Sequence, residues 1–154
     1  MTRNIQIVDL DGCIADDRWR RELIQPTGKD KFHEYHAVSH LDFPVNINEI
    51  VAPEVIVLTG RPVAYREQTL AWLGETAYVR PLHIIMRNNG DYSNAVILKE
   101  RMVRGLLDWN SYGIAQEWLT LAIDDRADIV EMYQRVFQIP SKIVRIGDEE
   151  HING

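Results

Sequence analysis

Short apolar runs that alternate with longer stretches of helical spacing constrain this chain more than any other feature. Five runs stand out: Ile5 to Asp9, Glu54 to Thr59, Leu82 to Met86, Leu119 to Asp124 and Lys142 to Ile146. The first four are nearly continuous in apolar residues, as strands covered on both faces are. Between the later runs the spacing predicts three helices. One has Pro62 in its first turn and runs to Leu73, with Gly74 as its stop. One runs from Ala95 to Trp109 behind a cap at Ser93 or Asn94, and one from Ala127 to Phe137 is closed by Pro140. Strand and helix in repetition predict an α/β fold, a central parallel sheet of about five strands with helices on both faces. At 154 residues, one domain spanning 1–154 is expected.

The segment from Ile14 to Val51 breaks this rhythm. A crossover between parallel strands needs about a dozen residues, so a stretch this long implies an insertion after strand one, a small flap or cap over one end of the sheet. His33, His36 and His40 fall at helical spacings and are expected to share one face. No supporting carboxylate or cysteine pattern points to zinc, so solvated or substrate-facing histidines are the stronger expectation. Trp19, beside Arg18, Arg20 and Arg21, is either a stacking surface for a nucleobase or a packing residue of the flap. Trp72, Trp109, Trp118 and Tyr133 are expected in the core or at its edges.

In an open parallel sheet, ligands bind beyond the carboxyl ends of the strands. There the first run ends at Asp9, with Asp11 and the turn-forming Gly12 after it; the second ends at Thr59-Gly60-Arg61, the fourth at Asp124-Asp125, and Lys99 lies on the helix leading to the fourth. Clustered carboxylates raise one another's pKa and oppose ionisation unless a cation lies among them. An oxygen-only donor set suits Mg²⁺, with Asp9, Asp11, Asp124 and Asp125 as candidate ligands and Lys99 as a second positive charge beside a transferring phosphoryl group. The Thr59 hydroxyl and the Gly60 N–H suit a phosphate oxygen. A carboxylate beside Mg²⁺ can act as nucleophile and divide phosphoester hydrolysis into two steps, leaving Asp11 as general acid and base.

Other acids read differently. Asp125 can instead cap the helix that begins near Arg126, and Asp128 is as well explained by a solvated helix position. Asp16 and Asp17 are expected to be solvated or to contact Arg18 and Arg20. Cys13 sits in the turn without a histidine partner, which argues against a thiol nucleophile.

Asp9-Leu10-Asp11-Gly12, Thr59, Lys99 and Asp124-Asp125, in this order and on these elements, resemble the four motifs of the haloacid dehalogenase (HAD) superfamily of phosphohydrolases. That resemblance implies a Rossmann-like sheet with a cap insertion. A closer one is to the 3′-phosphatase domain of phage polynucleotide kinase and its stand-alone relatives. It rests on Gly90-Asp91 ahead of Lys99, on Thr59 to Pro62, and on the stretch from Leu121 to Val136. It implies Asp9 as nucleophile, Asp11 as acid and base, and Mg²⁺ held by the Asp9 carboxylate, the Asp11 carbonyl and Asp124. Arg61 and Arg20, with Arg18 as a near alternative, are implied as phosphate or substrate contacts, and a 3′-phosphorylated nucleic-acid end as substrate. The chain departs from the family at Cys13, where threonine is common, and at Ala95 and Val96, where acids precede the lysine.

Composition keeps a second substrate open. A formal net charge of −6 argues against an extended nonspecific nucleic-acid surface, so free nucleoside monophosphates remain the alternative. No GxxxxGK[ST] motif accompanies the site. A phosphoryl-accepting signalling module would carry its aspartate at the end of the third strand, where "LHIIMRNNG" has none. The single cysteine excludes an internal disulfide. No apolar run approaches the roughly 20 residues of a membrane span. A cytoplasmic setting, no membrane association and no obligate protein partner are therefore expected.

Overall fold

The computed structural model describes residues 2–24, 29–147 and 150. In chain order the strands are β1 (Ile5–Val8), β2 (Ala15–Asp16), β3 (Phe43–Pro44), β4 (Glu54–Pro62), β5 (His83–Arg87), β6 (Leu119–Asp124) and β7 (Ser141–Ile143). The α-helices are α1 (Lys29–Ala37), α2 (Arg66–Glu75), α3 (Ala95–Leu107) and α4 (Ala127–Phe137). Five strands form one sheet in the order β5-β4-β1-β6-β7, with every pairing parallel.

Alternation along the strands divides the core between the two faces. Ile5, Ile7, Ile56 and Leu58 pack with Leu98, Met102 and Leu106 of α3 and with Ile129 and Tyr133 of α4. Val8, Val55 and Val57 pack on the opposite side with Trp72 and Leu73 of α2. Each such side chain contributes about 1.5–3 kcal/mol by leaving water, so burial on two faces is the main force fixing the strand order.

The chain passes from β1 to β4 and β5, then returns through α3 to β6 on the other side of β1. The direction of winding therefore reverses between β1 and β6, where such sheets open a crevice at their carboxyl ends. Asp9 follows β1 and Asp124 ends β6, and the Asp9 N–H donates to Ile123 O at 3.2 Å. Gly12, at φ +80°, lets the chain turn sharply past Asp11. The N–H groups of Cys13, Ile14 and Ala15 all converge on Leu10 O there.

The insertion after β1 is an antiparallel β2–β3 pair that brackets a 3₁₀ segment, Arg18–Ile24, and α1. Further 3₁₀ turns follow at Ser39–Leu41 and Ile47–Glu49. Among the hydrogen bonds that pin it to the body, Trp72 Nε1 donates to Asp42 O at 2.8 Å and Gln68 Nε2 to His36 O at 3.3 Å.

Several local expectations are corrected. β4 extends through Pro62, with a register shift between Thr59 and Pro62, so Pro62 ends a strand rather than starting a helix. A 3₁₀ turn, Val63–Tyr65, precedes α2, and Gly74 lies within that helix rather than stopping it. The last strand is shorter and earlier than expected, at Ser141–Ile143. α3 is capped by Asn94, whose Oδ1 accepts from Val96 N at 2.8 Å, and it ends at Leu107. Trp109 is therefore not in the core but 86 % exposed: Asp108 Oδ1 accepts from Asn110 N, and that local turn offers the backbone an alternative to helix. His40 lies in the Ser39–Leu41 turn, outside α1, so the three histidines do not share a face.

Candidate active site

Two charge clusters meet at the carboxyl ends of β1, β4 and β6. In the first, Lys99 reaches from the opening of α3 between two carboxylates, with Nζ 2.6 Å from Asp9 Oδ1 and 2.6 Å from Asp124 Oδ2. Lys99 occupies the buried side of α3 next to Leu98, which directs a fully buried ammonium at the strand ends. Asp125 completes the cluster: one oxygen each from Asp9, Asp124 and Asp125 lie within 4.8 Å of one another. When fully ionised, three carboxylates against one ammonium leave two negative charges in excess.

The electrostatics follow from that excess. Burial and the neighbouring Asp124 push the Asp9 carboxyl up to about 7, although Lys99 opposes them. Burial, then Asp9 and Asp124, push Asp125 up to about 11. Burial alone would lower the Lys99 ammonium, but Asp124 and Asp9 outweigh it and hold it well above its usual value. An all-oxygen donor set two charges short of neutrality fits a hard divalent cation. Asp128 stands apart at the surface, paired with Arg126 at 2.7 Å. The backbone N–H of Arg126 is taken by Asp124 Oδ1, so Asp124 rather than Asp125 caps that turn.

The second cluster surrounds Asp11 and is neutral, with two carboxylates and two guanidiniums. Arg61 NH2 lies 2.7 Å and Arg20 NH2 2.6 Å from Asp11 Oδ1. Arg20 also clasps Asp42 through Nε at 2.9 Å and NH2 at 2.6 Å, and donates to Tyr35 O at 3.1 Å. Burial would raise the Asp11 carboxyl, yet Arg61 and Arg20 together hold it well below the usual carboxylate range. Arg20 and Arg61 are wholly buried, so both act on Asp11 rather than stand open to solvent.

The remaining expected residues are placed as follows. Thr59 is buried at the end of the run it closes, its Oγ1 accepting from Arg61 N at 3.1 Å. Gly60 O accepts from Arg87 Nε at 2.8 Å. Trp19 is about half exposed, with Nε1 donating to Asp42 Oδ1 at 2.8 Å. Arg18 pairs with Asp16 near the surface at 2.8 Å. Asp17, expected to be solvated or to meet Arg18 or Arg20, is instead buried against Arg21 and the Tyr35 hydroxyl. Burial, followed by Asp9, pushes the Cys13 thiol far up, which leaves no thiolate for nucleophilic chemistry.

Sequence reasoning missed two residues here, Asp42 and Arg87, and left a third, His36, undistinguished among three histidines. Asp42 joins Arg20, Trp19 and, through its backbone carbonyl, Trp72. Arg87 ties Gly60 O to Asp91 O at 3.2 Å and Ser93 O at 2.7 Å, fixing the Thr59-Gly60 turn against the loop before α3. His36, one of three histidines considered together, alone comes to Asp11, its Nδ1 3.9 Å from Oδ2. Only Arg87 carried a signal, as a cation at the carboxyl end of a strand.

The charge excess sets a pH dependence of stability. Asp9 and Asp125 have folded pKa values above their unfolded ones, so the folded protein holds the extra protons. Their contribution is fully present below about pH 4 and is lost as pH rises through about 7 for Asp9 and about 11 for Asp125. Asp11 works oppositely, but its contribution is complete once pH exceeds the ordinary carboxylate range. Chelator-treated protein should therefore lose thermal stability between pH 5 and pH 9, by calorimetry. Saturating Mg²⁺ should raise Tm by about 5–10 °C at pH 8, and by less at pH 5.

The sequence matches the family model for the polynucleotide kinase PNKP phosphatase domain over residues 3–148. Among solved structures, a chain of the Pnkp1/Rnl/Hen1 RNA repair complex is similar at 22% identity and a TM-score of 0.70, covering 96% of this chain and 44% of that one. A second structure of the Pnkp1/Rnl/Hen1 complex gives 22% identity and 0.68, covering 96% and 48%. The HAD domain of effector protein Lem4 from Legionella pneumophila gives 13% and 0.50, covering 97% and 90%. The chain thus spans less than half the length of the RNA repair proteins it matches. No curated protein matches it. Among the described residues, no helix is long and apolar enough to cross a membrane.

Proposed function

Since the chain belongs to the HAD-type phosphatase family of the polynucleotide kinase PNKP phosphatase domain, we propose that it is a Mg²⁺-dependent phosphomonoesterase working through an aspartyl-phosphate, with 3′-phosphorylated nucleic-acid ends as substrate. The observation that carries this reading is the pairing of two clusters. One, when fully ionised, is two charges too negative and centres on Asp9; the other is neutral and holds Asp11 between two arginines. The chain acts as one domain over 1–154, with the 14–51 insertion as its cap.

Asp9, Asp124 and Asp125 carboxylates and the Asp11 backbone carbonyl would hold the ion. When bound, it supplies positive charge that keeps Asp9 ionised and offsets the charge of the phosphoryl oxygens. The Asp9 carboxylate attacks phosphorus, and the bond to the leaving alcohol breaks. Lys99, the Thr59 hydroxyl, the Gly60 N–H and the Arg61 guanidinium receive the phosphoryl oxygens. A phosphate dianion offers Arg20 and Arg61 a partner that competes with Asp11. With those cations drawn away and the dianion nearby, a proton on Asp11 becomes favourable, loading it as the acid that protonates the leaving oxygen. In the second step Asp11 takes a proton from water, which attacks the acyl phosphate and frees Asp9 and inorganic phosphate. The half-exposed Trp19 would stack on a base next to the reacting end, and Arg18, paired with Asp16, would turn to a neighbouring phosphate. The RNA repair setting of the matched structures supports an end-processing role.

Phosphate release from a 3′-phosphorylated oligonucleotide, a 3′-mononucleotide and a 5′-mononucleotide, with Mg²⁺ or with chelator, tests this reading. The oligonucleotide should give the highest kcat/KM, and chelator should abolish all turnover. Preference for the free 5′-mononucleotide would contradict the end-processing assignment.

A further inference from the structure

His36 is a buried group that the chemistry above does not use. It is 1 % exposed, and neither ring nitrogen has a hydrogen-bond partner among the described residues. Its ring is built into place: Phe32 lies 4.6 Å and Tyr35 4.7 Å away edge-on, and Tyr65 stacks at 6.3 Å. Gln68 on α2 holds the backbone from behind, through His36 O. Phenylalanine would fill the same aromatic nest without burying two polar nitrogens, so packing alone does not account for a histidine here.

The gap to Asp11 is the informative distance. At 3.9 Å, His36 Nδ1 and Asp11 Oδ2 are too far apart to bond directly. An oxygen at about 2.8 Å from each would sit with its two bonds at roughly a right angle, which is the geometry a substrate hydroxyl would take on entering between them. A hydroxyl both donates and accepts, so it can bond an imidazole nitrogen that has no partner in either role among the described residues.

We propose that His36 is a specificity-determining residue that holds the sugar hydroxyl adjacent to the leaving oxygen, so that the site distinguishes a ribose end from a deoxyribose end. The inference rests on the reading of Asp11 as the group that protonates the leaving oxygen. On a 3′-phosphorylated ribose the 2′-hydroxyl is borne by the neighbouring carbon, on the same side of the ring. With the leaving oxygen at Asp11, that hydroxyl lies beside the same carboxylate, where His36 is the neighbour whose ring nitrogens are unpaired among the described residues. A deoxyribose end leaves the ring without a partner.

The test is the ratio of kcat/KM for matched oligonucleotides ending in 3′-phosphorylated ribose or 2′-deoxyribose, in Mg²⁺. Wild type should favour ribose by about tenfold, the worth of one well-placed hydrogen bond. His36→Phe should bring the ratio to within about twofold of one, and His36→Asn, which keeps a polar atom near Nδ1, should recover part of the preference. A ratio is insensitive to the fraction of a variant that folds. A 2′-O-methyl end, read on wild type alone, should also lose the preference. Equal turnover of both ends by wild type, or preference retained in His36→Phe, would overturn this inference alone. Turnover of p-nitrophenyl phosphate with neither oligonucleotide accepted would overturn the substrate reading and this inference with it.

Discussion

Asp9→Asn should lower kcat by at least about 10⁴-fold, because no other carboxylate stands where Asp9 does to form the covalent intermediate. The same change should leave thermal stability unchanged or slightly raised in chelator above pH 7. Asp9 is buried beside Asp124 and Asp125, and its carboxyl is pushed up to about 7 by burial and by Asp124. An asparagine there keeps an acceptor for Lys99 Nζ while removing one of three like charges. Loss of activity with retained stability separates a chemical role from a structural one. Tm by calorimetry and initial rates on one protein preparation measure both.

Lys99→Met should show the reverse coupling, losing stability and activity together. Lys99 is the only cation within hydrogen-bond distance of Asp9 and Asp124 among the described residues, at 2.6 Å from each. Removing one member of a buried ionic group leaves the others uncompensated, which costs about 3–5 kcal/mol. For a domain of this size that is roughly 10–20 °C in Tm. Turnover should fall by about 10³-fold or more, since the phosphoryl oxygens lose a preorganised charge. Mg²⁺ should return part of the lost stability but not the lost turnover, because a divalent ion among the carboxylates replaces charge without replacing the ammonium's position. Chemical denaturation with and without Mg²⁺ reads this directly.

The contrast between these variants shows which parts of the site were legible in the sequence. Asp9, Asp11, Thr59, Lys99 and Asp124 could be placed because each follows an apolar run or lies in the opening turns of a helix, and a parallel sheet brings such positions to one rim. The α4 boundaries, Ala127–Phe137, agreed for a related reason: a strong apolar stripe and Pro140 mark both sides. What the sequence hid lies in the insertion. Asp42 meets Arg20 across 22 positions and His36 meets Asp11 across 25, and no local period encodes such pairings.

Arg20 and Arg61 show a subtler limit. Both were expected as phosphate contacts, and both grip Asp11. Sequence identifies cations near the reacting centre but not which carboxylate holds them. Trp109 fails differently. The helical spacing that reaches it is genuine, but Asp108 offers its own side chain to Asn110 N and the helix ends.

The account stands or falls on Asp9 as the atom donor to phosphorus. Acid-quenching the enzyme during turnover of a 3′-³²P-labelled oligonucleotide in Mg²⁺, followed by peptide mapping, tests that claim most directly. The predicted result is acid-stable, hydroxylamine-labile label on the peptide containing Asp9, absent from Asp9→Asn. Full turnover with no protein-bound label at any quench time, or label that persists in Asp9→Asn, would contradict it.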